Sequence, residues 1–168
     1  MKYQSTDNNI HNVTQLIKEQ NRAVKIFAIR SKKRKQIENE KIYTAIDRFN
    51  NINNYVVKEL LPALQKIKDN DRYVFQYIDD TLEPFFDLNA KYFKIIIKNK
   101  VNNIENFFIA SYNINDFLVK MREPNSKNEN AVIEHKLPIV QASKNRFREI
   151  FFNYFESIIK FDSLLNLK

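Results

Sequence analysis

Glycine, cysteine and tryptophan are absent from all 168 residues of this chain, and proline occurs four times. Without glycine there can be no Walker loop, no dinucleotide fingerprint and no nucleophile elbow, because each needs backbone geometry or close approach that only glycine supplies cheaply. Without cysteine there are no disulfides, zinc ribbons or thiol catalysis, a pattern that predicts an intracellular, cytoplasmic protein. Turns needing a positive φ must be rare or carried by asparagine. Long apolar runs are lacking as well. The longest, Ile95-Ile96-Ile97, is too short to cross a bilayer, and residues 1–12 carry no apolar secretory segment. His11 and His135 have no partner of ligand type one helical turn away, so no metal and no cofactor is expected. Asp79, Asp80 and Glu83 form an acidic cluster ahead of Pro84, better suited to the first turn of a helix than to catalysis. A non-enzymatic protein with no small-molecule substrate is the expectation.

What the chain does contain is positive charge. Lys and Arg number 28 against 20 acids, for a net charge of +8, a balance that favours anionic partners. Part of this excess also fits codon bias in an AT-rich genome. The densest stretch, Arg30-Ser31-Lys32-Lys33-Arg34-Lys35, puts charge on every side of a helix, and Arg22 and Lys25 extend it upstream.

Apolar residues recur at helical spacing in three blocks, which predicts an all-α protein in one domain spanning 1–168. The first block is Ile42, Ile46, Phe49, Asn53, Val56, Leu60, Ala63 and Ile67, with Asn53 either buried in the seam or at its border. A shorter stripe, Ile10, Val13, Ile17, Val24 and Phe27, precedes it. The second block runs through Ile97, Val101, Ile104, Phe108, Ser111, Asn115 and Leu118, and the third through Phe147, Phe151, Tyr154, Ile158, Phe161 and Leu165. So wide an aromatic band in the third block belongs in a core or a subunit interface. Residues 1–9 are expected to be flexible, and residues 123–130 to form a loop before the last helix. Pro62, with seam residues on both sides, is expected to kink its helix and not to end it.

Around that proline, Asn54, Val57, Glu59, Leu61, Pro62 and Leu64 fall on the pattern N-x-x-L-x-E-x-L-P-x-L, with Val in place of one Leu. This stretch resembles the middle helix of the amphiphysin-like BAR domains. Either Leu82-Glu83 or Leu88-Asn89-Ala90-Lys91-Tyr92 resembles the L-E-A-K-F opening of the family's third helix. The resemblance spans roughly residues 41–94 and implies long kinked helices in an antiparallel coiled-coil bundle, a compact four-helix bundle being the alternative. It further implies a homodimer, or a heterodimer with a related helical subunit, that works as a peripheral membrane scaffold. Such a scaffold would sense or shape curvature by laying Arg22, Lys25, Arg30, Lys32, Lys33, Arg34 and Lys35 on an anionic membrane surface. Two other readings compete: a basic helical subunit that binds nucleic acid or joins a ribonucleoprotein, and a helical protein-interaction subunit docking through its aromatic last helix.

Overall fold

A computed structural model describes residues 4–67, 71–80, 91–124 and 131–165. They contain helix α1 (Gln4–Tyr55), a π-helical turn (Val56–Leu60), α2 (Leu61–Gln65), strands β1 (Tyr73–Asp80), β2 (Tyr92–Asn99), β3 (Glu105–Tyr112), β4 (Asp116–Arg122) and β5 (Val132–Pro138), a 3-10 turn (Ile139–Gln141) and α3 (Lys144–Leu165). The five strands form one antiparallel sheet in the order β1-β2-β3-β4-β5. The all-α expectation is therefore wrong, and with it the antiparallel coiled-coil bundle, the four-helix alternative and the BAR-like architecture. The chain is mixed α and β.

The second apolar block is where the helical reading failed. Along β2, Phe93, Ile95, Ile97 and Asn99 are buried at every second residue, as are Asn106, Phe108 and Ala110 in β3 and Phe117, Val119 and Met121 in β4. The alternation was hidden because the positions between them are also apolar: Ile96, Phe107, Ile109 and Leu118 are half-buried on the other side of the sheet. A strand apolar on both faces has no clean period of two. Residues 132–138, assigned to the last helical block, are strand β5.

Two tight turns join the central strands, and asparagine builds both. Asn103 has φ 58°, in the left-handed region where asparagine is the best substitute for glycine. Just before it, the Asn99 Oδ1 accepts from the Val101 N–H at 2.8 Å and the Asn102 Oδ1 from the Ile104 N–H at 3.0 Å. Between β3 and β4 the Asn113 Oδ1 accepts from the N–H groups of Asn115 and Asp116, at 2.8 and 2.7 Å. Side-chain amides thus replace the backbone freedom that a chain without glycine lacks.

The chain divides into two compact units, residues 1–40 and 41–168, with α1 passing from one to the other. In the second unit, residues from Ala45 to Leu64 and α3 share a core with one face of the sheet. Phe93 meets both Phe49, at 5.6 Å between ring centroids, and Phe147, at 5.8 Å, while Phe108 packs on Phe151 at 5.3 Å. Phe147, Phe151, Tyr154 and Ile158 of the predicted seam are buried in this core, Phe161 is half-buried, and the side chain of Leu165 lies outside the described residues. Ser143 starts α3, its Oγ accepting from the Arg146 N–H at 3.3 Å.

The first helical seam is rotated from its expected position. Ala45, Phe49, Ile52, Val56, Leu60 and Leu64 are buried, whereas Ile42, Ile46 and Ile67 are exposed. Asn53 sits at the border and accepts a hydrogen bond from the Tyr77 hydroxyl at 2.6 Å. Pro62 occupies the opening of α2, directly after the π-turn, whose closing bond runs from the Leu61 N–H back to the Val56 carbonyl. Proline has no N–H and crowds the carbonyl four residues earlier, and a turn widened by one residue accommodates both defects. The helix ends at Gln65, so Pro62 lies in its final turns and not mid-helix. Residues 125–130 of the expected loop lie outside the described residues, as do Leu82, Glu83, Pro84 and residues 88–90.

Candidate functional site

The unit formed by residues 1–40 is helical from Gln4 onward, and of its side chains from Asn12 to Glu40 all but Ser31 are exposed. Arg22, Lys25, Arg30, Lys32, Lys33, Arg34 and Lys35 all lie here, on one continuous helix. Lys18 extends the set. Residues 18–35 hold eight of the chain's 28 cations and a single one of its 20 acids, Glu19, so this stretch carries +7 of the net +8 and the remainder is close to neutral. Charge spread by codon bias would not concentrate in this way. Among the described residues, none of the eight cations forms an ion pair.

At roughly 100° per helical residue, Lys18, Arg22, Lys25, Lys32 and Lys33 share one side of the helix. Val13, Leu16, Ile17, Val24 and Phe27 share the opposite side, all of them exposed. Arg30, Arg34 and Lys35 stand at the edges of that apolar stripe. The sequence had revealed both the cations and the stripe, but not that five of the eight cations lie opposite the stripe on a helix whose side chains from Asn12 to Glu40 include none that is buried.

The lysines on the sheet are in a different state. Lys98 pairs with Glu105 at 3.1 Å, Lys120 with Glu134 at 3.6 Å and Lys136 with Asp116 at 3.2 Å, and Lys94 lies over the Phe107 ring at 5.7 Å. Exposed pairs of this kind add little stability, yet they cancel the local field an anion would feel. The sheet is therefore a poor platform for a polyanion.

A buried polar cluster ties α3 to one end of the sheet. Asp162, 1% exposed, accepts hydrogen bonds from the Tyr73 hydroxyl at 2.8 Å, the Asn99 Nδ2 at 2.7 Å and the Asn102 Nδ2 at 3.1 Å. Burial, followed by the hydrogen bond to Asp162, raises the Tyr73 phenol above the ordinary tyrosine range. Tyr77 is pushed up to about 12, first by burial and then by the charge of Asp79. Burial likewise raises Tyr154. Phenols shifted upward stay neutral near pH 7, and of these Tyr73 and Tyr77 serve as hydrogen-bond donors, to Asp162 and Asn53. No sequence signal marked Asp162, because these donors come from β1, the end of β2 and the β2–β3 turn.

Among the described residues no group of three or more His, Cys, Asp or Glu side chains is placed to hold a metal ion. His135 is exposed on β5, Asp79 is exposed near the end of β1, and the side chains of His11, Asp80 and Glu83 lie outside the described residues. A shallow groove of about 350 Å³ beside the start of α3 is lined by Arg48, Asn51, Ser143 and Lys144 among others, and Lys144 is already held by Glu59 at 3.2 Å. No described helix is long and apolar enough to cross a membrane. No family model matches this chain, and neither a curated protein nor a solved structure matches it, so the basic helix stands on its own geometry as the candidate site.

Proposed function

We propose that this chain is a non-catalytic binding protein that attaches to phosphate-bearing anionic surfaces through the helix of residues 18–35, with residues 41–168 as its folded body. The observation that carries the reading is the concentration of +7 in eighteen residues, all but Ser31 exposed, whose cations are unpaired, set against a sheet where Lys98, Lys120 and Lys136 are paired. Attachment by this route is electrostatic. Each exposed Lys or Arg close to an anionic leaflet contributes about 1 kcal/mol, less whatever is lost in ordering long side chains. Eight cations thus suffice for binding that salt reverses, since added ions screen charges separated by more than about 8 Å at physiological ionic strength.

The test replaces Lys32, Lys33, Arg34 and Lys35 together by glutamine, which takes the net charge from +8 to +4. Binding of the full chain to acidic phospholipid vesicles and to single-stranded RNA is measured across a range of salt. The expected outcome is a loss of about a hundredfold or more in affinity, from four contacts at about 1 kcal/mol each, and a shallower salt dependence. Glutamine at Lys94, Lys98 and Lys120 should leave binding intact. Equal losses from both sets of changes would mean that net charge, and not this helix, governs attachment.

A further inference from the structure

Positive charge explains one side of the N-terminal helix and leaves the other unexplained. Leu16 is 64% exposed, Val24 62% and Phe27 73%, with Val13 and Ile17 completing an apolar stripe roughly 100° wide. RNA or DNA would read the cations and leave these five side chains in water. A second copy of the chain would cover the stripe, but Arg30, Arg34 and Lys35 stand at its edges, so pairing brings like charges together along the same seam. An acidic bilayer satisfies both sides at once: its acyl boundary takes the apolar stripe, and its headgroups attract a helix carrying +7.

Resting on the anion-binding reading, we infer that the surface recognised is an acidic phospholipid bilayer, and that residues 13–35 lie in its interface with Phe27 and the stripe turned toward the acyl chains. Arg30, Arg34 and Lys35, at the stripe's edges, reach the phosphates directly. Lys18, Arg22, Lys25, Lys32 and Lys33 face away from the acyl chains and contribute through the field of the leaflet.

The chain has no tryptophan, so one introduced residue reports on its own surroundings. Phe27→Trp places the reporter in the stripe and Ile29→Trp on the opposite side, both at exposed positions. Each full-length variant is titrated with mixed phosphatidylcholine and phosphatidylserine vesicles, with and without brominated acyl chains. The inference expects a blue shift and bromine quenching for the reporter at position 27, and water-like emission for the one at position 29. It also expects Phe27→Ser to lower vesicle affinity about tenfold, the scale of exposing one large apolar side chain, with no change in melting temperature. Salt-reversible vesicle binding with both reporters in water would overturn insertion and leave electrostatic attachment standing. RNA binding without vesicle binding would do the same. Equal blue shifts at both positions would overturn the one-sided placement, and a concentration-dependent blue shift at position 27 in plain buffer would show a second copy on the stripe instead. Failure to bind either polyanion would remove the anion-binding reading and this inference together.

Discussion

Asp162 shows how much one side chain decides at the residue scale. It lies in α3 between half-buried Phe161 and exposed Ser163, yet it is 1% exposed and accepts hydrogen bonds from Tyr73, Asn99 and Asn102. Asp162→Ala would leave these donors without that acceptor, at about 1–3 kcal/mol for each one left unsatisfied. We expect the variant to lose about 3 kcal/mol or more in urea unfolding, and Asp162→Asn, which keeps one carbonyl acceptor, to lose less. Losses under 1 kcal/mol for Asp162→Ala would show that the cluster rearranges or takes up water. Asparagine carries the complementary lesson. The absence of glycine predicted that asparagine would carry positive φ, and the one non-glycine residue with positive φ among the described residues is Asn103. That deduction needed no tertiary information, because the left-handed region is limited by the residue's own Cβ and backbone.

At the scale of elements, the π-turn explains why a proline is tolerated so near the core. Five residues in a wide turn, Val56–Leu60, rotate the succeeding residues relative to a plain α-helix, in which Leu61 would stand about 120° from Phe49, and this brings Leu61 to the buried side that Leu60 and Leu64 share with Phe49 and Val56. Returning to α-helical register would swing Leu61 toward solvent, losing about 2 kcal/mol of burial. Burial as well as the proline therefore holds the wide turn. We expect Pro62→Ala to keep the turn and to shift the melting temperature by no more than a few degrees. Scanning calorimetry and amide exchange at Leu61 check this, and a large drop in melting temperature would assign the turn to Pro62 alone. The strands were less legible than the helix. Ile97, Ile104, Phe108, Ser111 and Leu118 happen to recur at helical spacing, while the alternating set Phe93, Ile95 and Ile97 is blurred by Ile96 between its members. Local pattern could not arbitrate, because a strand's partner lies on another segment of chain.

At the scale of the whole molecule, the two units differ in what holds them. Residues 41–168 share an aromatic core in which Phe49, Phe93, Phe108, Phe117, Phe147 and Phe151 are each no more than 1% exposed. The side chains from Asn12 to Glu40 include none that is buried. A helix without buried side chains opens locally at low cost, so proteases should find it first. Brief trypsin treatment is expected to cut between Lys18 and Lys35 and to leave a fragment, beginning as far along as Gln36, that keeps its β-sheet circular dichroism and melting transition. First cuts within residues 41–165 would overturn this division of stability.

By itself, the sequence determined what depends on composition and on short-range geometry: no glycine-loop or thiol chemistry, asparagine turns, a helix at each end and a cluster of cations between residues 18 and 35. Tertiary structure decided that residues 73–80, 92–122 and 132–138 form a sheet, that Asp162 is buried, and that the aromatic band of α3 lies in the chain's own core. The reason is physical. Helical hydrogen bonds close within four or five residues and leave their mark on the local sequence, whereas a β-ladder and a shared core are contracts between distant segments. Here both faces of the strands are apolar enough that no single segment discloses its partner.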